Sequence, residues 1–349
     1  MGLGGLVGVP PPARLWFPHI PTFSSPQLAP EGPDIKAHPP LRTKSYMGAH
    51  PLLPKAILPT MGLLYTETWK DYADLHLPFL LDRVLVVDRG AATRGRAAWT
   101  ERWDVPGEDA LGDELRRRDP EGGVDGLPAW AAPFVGLDAP REWWAPARAA
   151  LRSHLGLPDP ADARRGKPVL TYVSMADEPH AATSEDGGRV RDEDHARLVE
   201  GLAGLQREGV LGGVHVVRGN GTRESWEERM RAIAQSSIVI GAWGGALADS
   251  VFMSPPPSAR TPDSSTSSSP TAAAPILMEF FPAGTFVRDQ EYAARAAGLR
   301  YAAWWDDRKF DPASLPPVMG VRAGQNPYLS VSVPAVLHDI RAEAQKLQA

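Results

Sequence analysis

The sequence predicts an α/β fold built around a parallel β-sheet. From residue 168 onward, short apolar runs alternate with segments whose apolar residues recur at helical spacing. Each apolar run is continuous, which is typical of strands that are covered by helices on both faces. The chain has 349 residues, 43% of them hydrophobic, and this corresponds to about two globular domains.

The elements of the carboxyl-terminal half follow in order. We predict about five strands, at 168–175, 214–217, 237–241, 276–281 and 301–305. We predict helices from Asp192 to 208, and at 223–236, 247–253, 287–300 and 332–348. Together these segments predict a Rossmann-like domain, and the terminal helix could pack back across the first domain.

The amino-terminal half is less regular. Residues 1–60 are rich in proline and predict an extended arm, whereas 144–158 predict a helix that ends at Gly156 and Pro158. Between them, residues 61–90 predict a helix followed by a short buried strand at 84–87. The helical stripe consists of Leu75, Leu77, Leu80 and Leu81.

These segments define the predicted domain boundaries. The arm at 1–60 precedes an amino-terminal domain at 61–158, a carboxyl-terminal domain at 159–330 and a final helix at 331–349. Residues 254–275 are rich in Ser, Pro, Thr and Ala, and they interrupt the second domain as a low-complexity insertion.

Composition excludes several classes of function. The absence of cysteine excludes disulfide scaffolds, cysteine–zinc sites, iron–sulfur clusters and cysteine nucleophiles. The net charge of −5 gives no overall electrostatic footprint for nucleic acid. We expect no membrane helix, because no apolar run reaches about 18 residues, and no signal peptide, because the first residues lack a basic region.

The most informative stretch is an apolar strand that begins at Ile238 and runs into the glycines Gly241, Gly244 and Gly245. Glycines let a ligand approach the backbone, and a following helix offers free N–H groups to a phosphate. Ligands of doubly wound sheets bind at the carboxyl ends of strands. A tight turn required only for packing is an equally supported interpretation.

The order of motifs around this turn resembles the family 61 glycosyltransferases. Residues 237–256 and the strand at 276–281 resemble that family's strand, glycine turn and glutamate-ended strand, and Gly298 to Trp305 its Gly-x-x-Tyr element. The upstream order agrees from about residue 160, and residues 66–89 resemble a Trp/Tyr-His-x-x-x-Asp element more weakly.

The resemblance implies a GT-B architecture, in which two Rossmann-like domains face each other across a cleft. It implies inverting transfer of a sugar from a nucleotide-sugar donor, often UDP-linked, to a hydroxyl of a glycan or glycoprotein acceptor. It implies no metal or other cofactor, and a location in the endoplasmic reticulum or Golgi lumen. The alternative is a catalytically inactive, nucleotide- or glycan-binding member of the same fold.

Site residues follow from the same resemblance. Asp74 matches the family's aspartate and is the first candidate for the base, with His76 and Asp71 as runners-up. Acidic residues here also fit the polar face of an amphipathic helix. The candidates for donor binding are Arg191, Arg229, Gly241, Trp243, Gly244, Gly245, Leu247 and Glu279.

Several positions depart from the family pattern. Trp243 and Asp249 each stand where the family has histidine, and Met175 stands where it has arginine. Arg229 replaces glutamine and could supply the charge that is missing at Met175, while Trp243 could stack on uracil or a sugar. Lys70 replaces the histidine of the weaker element.

Two acidic features have competing interpretations. Glu279 ends a buried strand and could accept ribose hydroxyls or pair with an arginine. The Asp192-Glu193-Asp194 run spells a DxD metal motif, but Asp192 opens a predicted helix, so we favour a helix-capping role. An oxidoreductase is disfavoured because the G-x-G-x-x-G pattern is absent.

Overall fold

A computed structural model describes residues 13–17, 52–76, 78, 80–81, 84, 144–158, 166–176, 187–218, 226–254, 274–316 and 328–348. The chain forms two compact units, residues 1–86 and 87–349. Residues 100–140 and nearly all of the low-complexity insertion lie outside the described residues.

The first unit contains a small parallel sheet. Its described elements are β1 (Arg14–Trp16), α1 (Leu52–Ile57), β2 (Gly62–Leu64) and α2 (Thr66–Asp74). β1 pairs in parallel with β2, so a piece of the predicted arm is part of this unit. Trp16 packs edge-on against Trp69, with ring centroids 4.9 Å apart, and against Tyr72. These aromatic contacts hold α2 on the two strands.

The predicted leucine stripe does not continue this helix. α2 ends at Asp74, and His76 adopts a left-handed φ of 51°. Pro78 then has no N–H to donate to a further helical turn. The described apolar residues beyond the helix are exposed, namely Leu75, Leu80, Leu81 and Val84. The prediction is therefore wrong for these residues, while Leu77 and 85–87 lie outside the described residues.

The second unit is built on a six-stranded, mostly parallel sheet. Its strands are β3 (Val169–Ser174), β5 (Gly213–Arg218), β6 (Ile238–Ala242), β7 (Ile276–Phe281), β8 (Arg300–Trp305) and β9 (Arg308–Phe310), with a separate pair of β4 (Arg189–Val190) and β10 (Tyr328–Leu329). The order across the sheet is β5-β3-β6-β7-β8-β9. The parallel α/β sheet is thus confirmed.

The sixth strand, β9, was not predicted. It runs antiparallel to β8 and follows it after only two residues. Asp306 makes this reversal with a φ of 47°, a left-handed conformation that aspartate tolerates better than most residues. A three-residue strand carries too short an apolar pattern to be detected by periodicity.

Helices cover both faces of the sheet. They are α3 (Ala145–His154), α4 (Asp192–Arg207), α5 (Trp226–Gln235), a 3₁₀-helix (Gly245–Phe252), α6 (Asp289–Ala296) and α7 (Val333–Gln348). α4 connects β3 to β5 and α5 returns from β5 to β6, so right-handed crossovers place these two helices on opposite faces. The short helix predicted at 247–253 is the 3₁₀-helix, which begins at Gly245.

The sequence explains why α4 begins and packs as it does. Acidic residues occupy its first turn and Arg207 its last, which complements the helix dipole. Its buried side is formed by Leu198, Leu202 and Leu205. Within the second unit, α7 packs on α4. The packing of the terminal helix across the first domain stays a prediction. A Cβ on Gly201 would come within 2.2 Å of Leu337 Cδ1, so glycine lets the two helices approach without a shift of that side chain.

Two buried arginines attach α3 to other helices of the second unit. The Arg148 guanidinium donates to the carbonyls of Val251 and Ala297, each at 2.7 Å. Arg152 donates to the carbonyl of Ala234. These three carbonyls lie at the carboxyl ends of the 3₁₀-helix, α6 and α5, where backbone acceptors have no partner within the helix. α3 therefore packs with the carboxyl-terminal sheet, although residues 144–158 were assigned to the preceding domain.

A buried carboxylate attaches α7 to the far edge of the sheet. Glu343 is 1% exposed and lies close to Arg300 (2.5 Å), Lys309 (3.2 Å) and Lys346 (2.7 Å). Although burial opposes ionisation, the hydrogen bonds and charges of these cations lower the pKa of Glu343 to about 2. The cluster stabilises the folded chain only while Glu343 is ionised.

We expect Glu343→Gln to lower the free energy of unfolding at neutral pH by about 2–3 kcal/mol. Because folding depresses the pKa from 4.5, this contribution is present above pH 4.5 and is lost as pH falls toward the folded value. Urea unfolding at several pH values measures the difference between the two proteins.

The matched control is Glu208→Gln, which removes the exposed ion pair between Glu208 and Arg341 of α7. We expect this control to cost less than about 1 kcal/mol. Equal destabilisation by the two substitutions, or a Glu343→Gln difference that does not shrink below pH 4.5, would contradict the role of the buried cluster.

Candidate ligand site at the carboxyl edge of the sheet

The strand order defines where a ligand is most readily bound. β3 lies between β5 and β6. The connection from β3 leads outward to β5, and the connection from β5 returns past β3 to β6, so the direction across the sheet reverses here. In doubly wound sheets such a switch point opens a crevice at the carboxyl ends of the two central strands. Here those ends are Ser174 of β3 and Ala242 of β6. The predicted glycine turn follows directly after Ala242.

The turn serves packing at one glycine and is open at another. A Cβ on Gly241 would lie 2.8 Å from Leu247 Cδ2 and 3.0 Å from the Val173 carbonyl oxygen. Gly241 and Leu247 therefore fit against each other inside the sheet. Gly244 has a φ of 138°, which glycine alone adopts readily. At Gly245 an added Cβ would meet no described atom within 4 Å, so the turn is accessible there.

Trp243 is covered by the chain itself. It is 8% exposed, and its carbonyl accepts a hydrogen bond of 2.7 Å from the backbone N–H of Gly188. A Cβ on Gly188 would lie 2.4 Å from the Trp243 indole nitrogen, so the ring packs directly under this glycine. In this arrangement the indole face is not available to stack on a base or a sugar.

Arg229 is held by an acidic partner. Its guanidinium donates to the Asp249 carboxylate at 2.7 Å, and both side chains are largely buried. Burial raises the pKa of Asp249, while the charge and hydrogen bond of Arg229 act in the opposite direction. This pair was not predicted, although the sequence carried a signal. The two positions are 20 residues apart, and both differ from the family pattern. A basic residue replaces glutamine at 229, and an acidic residue replaces histidine at 249.

Glu279 is buried and hydrogen-bonded. It is 1% exposed, lies beside Gly241 in the sheet register, and accepts a 2.6 Å hydrogen bond from the Tyr301 hydroxyl. The sequence had offered two partners for this carboxylate, ribose hydroxyls or an arginine. A tyrosine from the neighbouring strand now satisfies one of its oxygens, and a ribose would have to reach it from the carboxyl edge.

Both aspartates of the acidic run at the start of α4 accept hydrogen bonds within the chain. Asp192 accepts from Arg189 at 2.9 Å, and Asp194 accepts from Arg197 at 2.6 Å and from the Val331 N–H at 3.1 Å. Among the described residues, no group of three or more His, Asp or Glu side chains is arranged to hold a metal ion.

Arg191, the remaining predicted donor-site cation, immediately precedes α4. Its backbone N–H donates to the Leu329 carbonyl, which joins it to β10. Its side chain is exposed and forms no ion pair with any residue in the described ranges. Arg191 therefore remains the predicted cation whose charge is available to a ligand at the start of this helix.

A hydroxyl–imidazole cluster at the same edge was missed. His195 Nδ1 lies 3.2 Å from the Tyr172 hydroxyl and 3.4 Å from Ser174 Oγ. The Ala176 N–H in turn donates to Ser174 Oγ at 3.1 Å. Burial raises the pKa of Tyr172, which keeps its hydroxyl protonated. No motif spacing indicated this cluster, because its members meet only when α4 folds onto β3.

The predicted base candidates belong to the first unit. Asp71 and Asp74 are exposed on α2, and His76 is exposed just beyond its end. The structure thus brings most predicted donor residues to the edge of one sheet. Asp74 and His76 retain both interpretations, a base or a solvated helix face.

Comparison of the sequence with models of known protein families and with characterised proteins gave no match. Among the described helices, none has the length and apolar character needed to cross a membrane.

The packing of the turn predicts that a methyl group added at Gly241 lowers stability much more than one added at Gly245. We expect Gly241→Ala to lower the free energy of unfolding by about 1–3 kcal/mol, because its Cβ would overlap Leu247 and the Val173 carbonyl. Gly245→Ala, which adds the same methyl to open space, should change it by less than about 1 kcal/mol. Chemical denaturation measures both, and a fully stable Gly241→Ala protein would contradict the account.

Proposed function

We propose that this chain is a glycosyltransferase that moves a sugar from a nucleotide-sugar donor to a hydroxyl of a glycan or glycoprotein. The observation that carries the proposal is the glycine turn after β6, which lies at the switch point of a doubly wound sheet. The order of motifs around that turn, which resembles the family 61 glycosyltransferases, adds the substrate class. A UDP-linked donor is the first to be tested.

The proposed architecture is that of a GT-B enzyme. The second unit would bind the nucleotide through the turn and through residues of the carboxyl edge, and the first unit would bind the acceptor. The location proposed for such an enzyme is the lumen of the endoplasmic reticulum or Golgi. The doubly wound sheet supports the nucleotide-binding half of this proposal, and the resemblance supports the rest.

The proposed chemistry is a single inverting displacement. Asp74, or His76 in its place, takes the proton of the acceptor hydroxyl as its oxygen attacks the anomeric carbon. The bond from that carbon to the diphosphate oxygen breaks, and the nucleoside diphosphate leaves with the electron pair. Arg191 and backbone N–H groups at Gly245 would stabilise the departing negative charge without a metal ion.

A non-catalytic, nucleotide- or glycan-binding role is the second candidate. Three observations favour it: Arg229 is paired with Asp249, the Trp243 indole is covered by Gly188, and the Glu279 carboxylate is buried against Tyr301. Each of these would leave a nucleotide pocket with fewer ligand contacts than a transferase needs. Binding without turnover distinguishes this role from the first.

Thermal unfolding with nucleotides tests the proposal. UDP or UDP-N-acetylglucosamine at about 100 times the dissociation constant should stabilise the protein by about 2.7 kcal/mol, which appears as a raised Tm. NAD should give no shift. Glu279→Gln should abolish the shift, whereas the matched control Glu200→Gln, at an exposed position on α4, should retain it.

Product analysis separates the two candidate functions. Release of UDP from a UDP-sugar, dependent on Asp74, would support the transferase. A nucleotide shift with no transfer and no donor hydrolysis would support the binding protein. If the folded protein shows no shift with any nucleotide, the transferase and the nucleotide-binding role are both wrong, and a shift with glycans is then the test of the glycan-binding role.

A further inference from the structure

The hydroxyl–imidazole cluster contacts one ring nitrogen of His195, Nδ1. Nδ1 has a single lone pair or a single hydrogen, and two hydroxyls converge on it, from Tyr172 at 3.2 Å and Ser174 at 3.4 Å. Ser174 Oγ already accepts the Ala176 N–H, which leaves its own hydrogen to donate. Tyr172 is 1% exposed, and its hydroxyl also needs an acceptor in this buried setting.

Both hydroxyls are thus suited to donate toward Nδ1, in alternation. With Nδ1 as the acceptor of these hydroxyls, the neutral ring carries its hydrogen on Nε2. In the described part of the chain, Nε2 makes no hydrogen bond, and the half-buried ring lies beside Ser174 at the carboxyl end of β3. Among the described residues, Nε2 of His195 therefore has no partner.

The charges nearby favour a negative ligand. Arg191 lies four residues before His195 on the same side of the helix, and its carbonyl accepts the His195 N–H. Asp192 and Asp194 are compensated by Arg189 and Arg197. The exposed Glu193 lies two residues from both Arg191 and His195, so it faces away from them.

We propose that His195 Nε2–H and the Arg191 guanidinium together bind an oxyanion at the carboxyl end of β3, with Tyr172 and Ser174 as positioning residues. On the proposed function, on which this assignment rests, the oxyanion is the diphosphate of the nucleotide sugar. His195 then supplies a donor beside Met175, where the resembling family has an arginine, while Arg229 is directed to Asp249.

The same geometry disfavours a serine nucleophile. A base that activates serine uses one ring nitrogen for the hydroxyl and the other for an orienting group. Here both hydroxyls lie at Nδ1, and Ser174 is 6% exposed. The cluster is arranged to orient the ring and not to attack a substrate.

Two amide substitutions at His195 test the roles of its two ring nitrogens individually. Gln places an amide N–H near the position of Nε2, whereas Asn reaches only the position of Nδ1. We expect His195→Asn to weaken binding of UDP and of inorganic pyrophosphate at least tenfold, because a hydrogen bond to a charged group is lost. His195→Gln should stay within about threefold of the unaltered protein. The matched control His338→Asn, at an exposed position on α7, should have no effect.

Titration calorimetry with the two probes distinguishes failure of this inference from failure of the proposed function. Suppose that His195→Asn weakens pyrophosphate binding, that His195→Gln does not, and that UDP binds no more tightly than pyrophosphate. The oxyanion site then stands and the nucleotide-sugar proposal fails. If UDP binds and His195→Asn matches the unaltered protein, the proposed function stands and this inference is wrong. Binding of neither probe overturns both.

Nitrogen NMR of the imidazole gives a readout that does not depend on any ligand. The ¹⁵N shifts of His195 should identify the neutral ring as the Nε2–H tautomer, and Tyr172→Phe and Ser174→Ala should each move it toward a mixture of tautomers. A ring that carries its hydrogen on Nδ1 in the unaltered protein would overturn the assignment.

Discussion

The parallel pairing of β3 with both β5 and β6 is the constraint on which the rest of the second unit depends. Because all three strands run the same way, their carboxyl ends meet at one edge. The crossover from β3 to β5 and the crossover from β5 back to β6 run in opposite directions across the sheet, so α4 and α5 cover opposite faces and the switch point lies between β3 and β6. The predicted donor-site residues of this unit are placed by this arrangement.

The edge is shaped by polar groups that find partners within the chain. The Tyr301 hydroxyl donates to one oxygen of Glu279, and Arg229 pairs with Asp249, which lowers the cost of burying these charges. Gly188 and Gly241 bring other chain segments close enough to cover Trp243 and to seat Leu247. Among the described residues, the groups available to a ligand include those at the start of α4 and the open position at Gly245. The candidate site is thus displaced toward His195 and Arg191 from the centre that the glycine turn suggested.

Sequence pattern predicted most of the second unit because its strands and helices are long and each buries a regular apolar face. The strand Ile276–Phe281 and the helix Asp192–Arg207 are the clearest cases. The periodicity of apolar residues gave a wrong prediction where the local backbone preferences of single residues opposed it. The leucines after Asp74 have helical spacing, but Pro78 and the left-handed His76 end the helix before them.

The site was predicted only where residues are neighbours along the chain. The glycine turn is one short segment, so its place after β6 followed directly from the sequence. The Arg229–Asp249 pair and the His195 cluster join residues from different elements, and side-chain pairing of this kind is set by packing angles that a single sequence does not contain. The attachment of α3 through Arg148 and Arg152 was missed for the same reason.

Hydrogen exchange with and without bound UDP or pyrophosphate tests most directly the claim that ligands bind at the carboxyl ends of β3 and β6. The account predicts slower amide exchange in residues 174–176, 187–195 and 243–247, and unchanged exchange in α7. Slowed exchange confined to the opposite edge, near residues 166–168 and 274–276, would contradict it. Bound ligand with no change at either edge would contradict it equally.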